Sequence, residues 1–166
     1  MRLFRSRNVL GIADETVEFI LATCRDTHPN EFLGLLSTTQ ARRLGIDRDG
    51  LVITDVVVVP GTESGEAIAT MRDEMIPTPT NASTVGTVHS HPSGNTIPSQ
   101  QDLDTFSKKG NYHIIVGHPY TRNSWECYDD RGIEREIDVL DVDLDDEHED
   151  DDFFDFTEEE LRDERK

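Results

Sequence analysis

Apolar positions repeat at helical spacing near the start of the chain and form short β-branched runs further along. From Val17 onward the apolar residues lie three or four positions apart, which predicts a first helix over residues 14–26. The turn-forming residues around Pro29 end that helix. A second helix is predicted over residues 99–109, and Gly110 is expected to close it.

The other apolar runs are rich in β-branched residues, which are typical of strands. They cover residues 31–36, 51–59, 84–88, 112–116, 124–128 and 133–140. Residues 60–83 are rich in Gly, Pro, Ser and Thr, and predict a long loop. Helices interspersed with strands indicate the mixed α/β fold class, with a mixed β-sheet flanked by helices in one domain over residues 1–140.

Charge is distributed unevenly along the 166 residues. The chain has 35 Asp and Glu against 16 Lys and Arg, a net charge of −19. Most of that excess lies from Asp138 onward, where acidic residues outnumber basic ones by 13. A like-charge block repels itself and stays solvated, so residues 141–166 are predicted to form a disordered acidic tail. The apolar residues from Phe153 to Leu161 are compatible with a short terminal helix within that tail.

The same composition restricts the partners and the compartment. An acidic body repels phosphates, so we expect no nucleic-acid binding. The sequence has no run of about 18 apolar residues, so we expect no membrane span. The two isolated cysteines, Cys24 and Cys127, are typical of a cytoplasmic protein.

Lysine is scarce among the basic residues, at three of 16. An acidic surface with few lysines suits a protein that must stay hydrated in concentrated salt, so we predict a halophilic source. Full stability in dilute buffer would count against this prediction.

The residues that carry chemistry lie between positions 89 and 102. His89 and His91 are separated by one residue at a predicted strand end, so their side chains point to the same face. Asp102 follows in the first turn of the second helix, where the helix dipole favours a carboxylate. Two imidazoles and a carboxylate form a three-ligand zinc site with a fourth position open, which hydrolysis requires.

Each part of this pattern also has a plainer interpretation. Ser99 and Asp102 fit a helix capping box in which Asp replaces Glu, and a His-x-His pair alone is common by chance. The combination, joined by a loop whose path is fixed by Pro92, Gly94 and Pro98, favours the metal site. The two interpretations are compatible, because Ser99 could cap the helix and still face the site.

The whole pattern resembles that of the JAMM, or MPN-plus, metalloproteases, which include deubiquitinases and archaeal desampylases. Their motif is His-x-His, seven residues, Ser, two residues and Asp. It is matched at every position by His89, His91, Ser99 and Asp102. The family's upstream Glu-x-x-Gly-Leu segment is matched from Glu31 to Leu35. The resemblance covers about residues 10–140 and implies the MPN/JAMM-like, cytidine-deaminase-like fold.

This resemblance implies a role for each matched residue. The zinc ligands would be His89, His91 and Asp102, holding one Zn²⁺ per chain. Glu31 would be the acid/base that takes a proton from the attacking water and later gives one to the leaving amine. Ser99 would donate a hydrogen bond to the oxyanion, an interaction commonly worth about 3 kcal/mol. Without the resemblance, Glu31 would be interpreted as an ordinary surface acid. We expect no catalytic role for the remaining histidines, His28, His113, His118 and His148.

The function implied is that of a zinc-dependent isopeptidase that removes a ubiquitin-like small modifier from protein targets, as archaeal desampylases do. One alternative is a JAMM-type hydrolase acting on a sulfur-carrier adduct in cofactor or amino-acid biosynthesis, which the motif does not separate from isopeptide cleavage. A non-catalytic MPN interaction scaffold is disfavoured by the complete ligand set. The JAMM-related domain of bacterial DNA-repair proteins shares the His-Pro-Ser-Gly loop, but the position of Glu31 and the absence of a basic segment favour the peptidase.

Overall fold

The computed structural model describes residues 8–59 and 84–145. Its strands are β1 (Val9–Ala13), β2 (Leu33–Gln40), β3 (Leu51–Val58), β4 (Thr84–His91), β5 (Tyr112–Gly117), β6 (Trp125–Tyr128) and β7 (Val139–Leu140). Its helices are α1 (Asp14–Thr27), α2 (Gln100–Phe106) and a short 3-10 helix (Ala41–Leu44). The predicted loop over 60–83 and residues 146–166 of the predicted tail lie outside the described residues.

The strands form one mixed sheet in the order β6-β5-β4-β2-β3-β1-β7. Strand β2 runs antiparallel to both β3 and β4, whereas β4 runs parallel to β5. Strand β1 runs parallel to β3 and β7. The mixed α/β class predicted from the sequence is therefore confirmed. No helix among the described residues is long and apolar enough to cross a membrane.

Helix α1 covers one face of the sheet with the apolar stripe that its sequence predicts. Val17, Ile20, Leu21 and Cys24 are all buried on that stripe. They pack against apolar side chains from the central strands, including Leu36, Ile53, Val88, Ile114 and Val116. Strand β4 thus lies in the middle of the sheet, and its face toward α1 is covered. Close packing on that face holds the residues at the end of β4 in place.

Helix α2 covers part of the opposite face. Phe106, at the end of this helix, stacks on His113 of β5 with ring centroids 4.2 Å apart and packs with Ile115 and Tyr128. His113 Nε2–H donates to the Gly110 carbonyl, so its Nδ1 accepts from the Thr87 hydroxyl, each at 2.8 Å. The histidine is fully buried and neutral, and it anchors the end of α2 to the sheet.

Two predicted elements are shorter than expected. Helix α2 ends at Phe106 rather than at residue 109, because the chain then turns to reach the start of β5 beside Val85. In that turn Gly110 has φ +112°, and a Cβ there would lie 2.2 Å from the Val85 carbonyl oxygen. The predicted strand over 133–140 is reduced to Val139–Leu140.

The reason for the second difference is that this segment spans two edges of the sheet. Arg135 N–H donates to Cys127 O beside β6, whereas Asp138 O accepts from Ile12 N–H in β1. Because residues 133–140 cross from one edge of the sheet to the other, they cannot pair along their whole length with a strand at either edge. Strand β1 was not predicted, because it is short and leads directly into α1, so that Ile12 reads as part of the helical pattern.

We predict that His113 makes stability pH-dependent between about pH 6.5 and 4. Burial lowers the pKa of His113 to about 4 from 6.5, so the unfolded chain binds a proton in this range that the folded chain does not. Stability is therefore full above pH 6.5 and is lost as pH falls, by about 3 kcal/mol in total. Urea unfolding of the protein and of His113→Gln should give a stability difference that shrinks between pH 7 and pH 4.5. A difference that stays constant would contradict the assignment.

Candidate metal centre

The end of β4 presents two histidines to the same face of the sheet. The strand runs to His91, three residues further than predicted, so both histidines belong to it. His89 pairs with Leu33 of β2 and Ile115 of β5, which fixes its backbone from both sides. The Nε2 atoms of His89 and His91 lie 3.0 Å apart.

Asp102 of α2 completes the group. Its Oδ1 lies 3.2 Å from His89 Nε2 and its Oδ2 lies 3.3 Å from His91 Nε2. The carboxylate is held by a capping box, in which Ser99 N–H donates to Oδ2 at 2.8 Å and Asp102 N–H donates to Ser99 Oγ at 3.1 Å. The predicted capping box is therefore confirmed, and it leaves the Asp102 carboxylate within reach of both histidines.

The three side chains fit a zinc ion by geometry and by chemistry. Their ligand atoms all lie within 4.8 Å of one another, and His89 and Asp102 are buried while His91 is half-buried. Zinc bonds of about 2.0–2.2 Å in a tetrahedron place neighbouring ligand atoms about 3.3 Å apart. The observed separations of 3.0, 3.2 and 3.3 Å agree with that spacing. Two imidazoles and a carboxylate are also the donor set of catalytic zinc sites with an open position.

The electrostatics of the cluster favour a cation at its centre. Burial alone raises the pKa of Asp102, but hydrogen bonds with His89 and His91 outweigh burial and hold that pKa well below its usual range. Burial likewise lowers the pKa of His91, while Asp102, the Asn95 carbonyl and the charge of Glu31 together raise it. The carboxylate thus stays ionised in a buried position, where the two histidines and the Ser99 amide partner it and a cation between the three side chains would be stabilised further.

A backbone carbonyl sets the orientation of His91. Its Nδ1 lies 2.6 Å from the Asn95 carbonyl oxygen, which can only accept, so Nδ1 carries the proton and Nε2 keeps its lone pair for a metal. The sequence gives no signal for this contact, because a carbonyl is common to every residue. It depends on the path of the loop over residues 92–98.

Glu31 lies beside this cluster at the entrance to β2. It is half-buried, and the residue after it, Phe32, accepts a hydrogen bond from Ser90 N–H at 3.0 Å. Because β2 and β4 are antiparallel, the next position in this register places Glu31 opposite His91. The charge of Glu31 acts on His91 accordingly. Glu31 and Ser99 therefore both border the cluster of His89, His91 and Asp102.

The other histidines are outside the cluster. His28 and His118 are exposed and face each other with ring centroids 4.8 Å apart, and His28 Nδ1 lies 2.6 Å from the hydroxyl of buried Tyr120. His113 is a buried packing residue, and His148 lies outside the described residues. Across the described residues, the only cluster of three or more potential metal ligands is the one on β4 and α2.

Comparison with known protein families agrees with the geometry. Residues 14–128 match the model of the family described as prokaryotic homologues of the JAB domain. The chain is also 50% identical over 161 residues to a protein of Haloferax volcanii named "Probable metalloprotease". That alignment spans 97% of this chain and 96% of the relative.

Solved structures show the same relationship. A JAB1/MPN domain protein from Archaeoglobus fulgidus is similar with a TM-score of 0.60 and 35% identity, over 79% of this chain and 99% of that one. A second structure, described as JAMM, a metalloprotease-like zinc site in the proteasome and signalosome, has a TM-score of 0.57 and 33% identity. This match covers 81% of this chain and 100% of the solved one.

We predict that His89→Ala loses the metal whereas His28→Ala does not. Removing one of three ligands should weaken zinc binding by more than about 100-fold, since even outer-shell changes cost 10–100-fold. His28 is an exposed histidine outside the cluster and serves as the matched control. Competition against a chelating dye measures both affinities. Equal zinc affinity in the two variants would contradict the site.

Proposed function

Because the chain belongs to the family of prokaryotic JAB-domain homologues, whose JAMM members are zinc metallopeptidases, we propose that it is an isopeptidase that removes a ubiquitin-like small modifier from protein targets. The family and the metallopeptidase class rest on the match over residues 14–128 and on the relative of 50% identity. The choice of a modifier conjugate as substrate is the proposal, and it follows the resemblance to desampylases.

One observation supports the hydrolytic function above the others. Three potential ligand atoms converge at the end of β4, and an acid and a hydroxyl, Glu31 and Ser99, border the same spot. Among the described residues, His89 and Asp102 are buried whereas His91 is 16% exposed, so the cluster opens to solvent on the His91 side. A reacting group arriving from that side meets the acid and the hydroxyl together.

The proposed ligands are His89, His91 and Asp102. Zinc held by them supplies a Lewis acid for the scissile carbonyl and lowers the pKa of water to about 7. The nucleophile in this proposal is a water molecule bound by the metal, and no side-chain thiol takes that role. The buried thiol of Cys24, on the far face of the sheet, has a pKa raised by burial to about 12 and stays protonated.

Glu31 is the proposed acid/base. Its place opposite His91 puts the carboxylate at the rim of the cluster, half-buried and with access to solvent. There it can take a proton from the attacking water and return one to the leaving amine, so one residue serves both half-steps.

Ser99 is the proposed donor to the developing oxyanion. Its Oγ accepts the Asp102 amide at 3.1 Å, and a hydroxyl that accepts one hydrogen bond keeps its own proton for another partner. Ser99 is exposed, so its hydroxyl is accessible to a substrate. The capping box thus fixes the donor relative to the ligand Asp102.

The proposed partners are ubiquitin-like small modifiers and their conjugates, in the cytoplasm. Recognition of an extended modifier tail would use backbone beyond the end of β4, because β4 itself is paired on both sides. A non-catalytic scaffold has no need of three ligand atoms held at zinc spacing. Hydrolysis of a sulfur-carrier adduct would use the same residues, and the substrate test separates it.

The test is to incubate the full chain with a β-grasp modifier joined to a target by an isopeptide bond or as a linear fusion. The reaction is run with and without chelator, in dilute buffer and in molar KCl, since we also propose a halophilic source. We expect cleavage after the terminal glycine that stops with chelator and returns with zinc. Glu31→Ala should abolish turnover with zinc retained, whereas Glu15→Ala, an exposed acid on α1, should not.

Two results would contradict the proposal. Cleavage that persists in chelator excludes the metal mechanism, and full activity of Glu31→Ala excludes that residue as acid/base. If only a modifier thioester or amino-acid adduct is cleaved, and no isopeptide conjugate, the substrate class is that of the sulfur-carrier alternative.

A further inference from the structure

Ser90 stands between the two histidines of the cluster but points the other way. Successive strand side chains alternate, so Ser90 faces the α1 side of the sheet while His89 and His91 face the cluster. Its exposure is 0%. The proposed mechanism does not use this hydroxyl, and a buried hydroxyl in an apolar core needs a specific partner.

That partner is the backbone of the segment that carries Glu31. Ser90 N–H donates to the Phe32 carbonyl at 3.0 Å, as in a regular antiparallel pair. The return bond is different, because Phe32 N–H donates to the Ser90 side-chain Oγ at 2.8 Å. On its other side the Ser90 hydroxyl neighbours the Cys24 thiol of α1, whose pKa it lowers against the larger effect of burial. Three elements therefore meet at one hydroxyl.

Several contacts fix the backbone around Glu31, and the Phe32 side chain is buried in the core at 3% exposure. On the N-terminal side the nearest backbone bond is from Asn30 N–H to Thr27 O at 2.9 Å, at the end of α1. On the C-terminal side regular pairing with β4 begins at Leu33. Phe32 is the anchor next to Glu31, and the Ser90 hydroxyl holds its amide.

We propose that Ser90 is a positioning residue, whose hydroxyl fixes the Phe32 amide and thereby sets the place of Glu31 relative to the ligands on the same strand. This inference rests on the proposed role of Glu31 as acid/base. Ser90 lies between the ligands His89 and His91 on β4, so its bond to Phe32 couples the position of Glu31 to the position of those ligands. A displacement of about 1 Å at a reacting group can cost about 100-fold in rate.

The test compares Ser90→Ala, Ser90→Thr and Thr87→Val. Ser90→Ala removes the acceptor of the Phe32 amide, and Ser90→Thr restores an Oγ at the same position. Thr87→Val is the matched control, because it removes another buried β4 hydroxyl that bonds to His113 and not to the Glu31 segment. Zinc content is measured for each variant. The kcat and KM values are measured with the substrate that the parent protein cleaves.

For Ser90→Ala we expect unchanged zinc content, a KM within about twofold and a kcat lower by about 10- to 100-fold. Ser90→Thr should recover most of that kcat. Thr87→Val should lose stability but keep kcat. A kcat for Ser90→Ala within threefold of the parent would overturn the proposal, and so would a folded, zinc-loaded Ser90→Thr that is as slow as Ser90→Ala.

A second readout does not depend on activity. Hydrogen exchange of the Phe32 amide should be at least about tenfold faster in Ser90→Ala, whereas the Leu35 amide in the middle of β2 should be unchanged. Unchanged exchange at Phe32 would overturn the anchor itself. If the parent protein cleaves nothing while Phe32 exchange responds as expected, the proposed function fails and the anchor stands.

Discussion

The structure depends on one electrostatic constraint, which is the convergence of two imidazole Nε2 atoms and a carboxylate at the end of β4. A buried carboxylate that stays ionised is costly unless positive charge faces it. The fold holds these groups close to the carboxylate. Strand β4, which carries the histidines, is central and paired on both sides, and Asp102 is fixed by the helix cap. The Asn95 carbonyl then leaves His91 Nε2 free to bind metal.

The residues of the site also hold the fold together, so structure and chemistry are not separable here. Asp102 is a proposed ligand and also half of a capping box with Ser99. The sheet register that pairs Leu33 with His89 also brings Glu31 to the rim of the cluster. His113, buried under α2, secures the helix that carries Asp102. A change at Ser99 or Asp102 therefore affects both the stability of α2 and the geometry of the site, which is why matched controls matter.

Much of this could be predicted from sequence because the relevant signals are local. The His-x-His alternation, the cap spacing of Ser99 and Asp102, and the stripe on α1 each report a short-range geometry. Strand β1 and the segment over 133–140 could not be predicted, since their pairing depends on which distant edge they reach. The Ser90 hydroxyl was visible in the sequence, but its partner, a backbone amide on another strand, was not.

The most direct test of the metal site is anomalous diffraction at the zinc edge from crystals grown with zinc. We predict a single strong peak about 2.0–2.2 Å from His89 Nε2, His91 Nε2 and one oxygen of Asp102. A peak elsewhere, for instance between the exposed rings of His28 and His118, or no peak at the end of β4, would contradict the account.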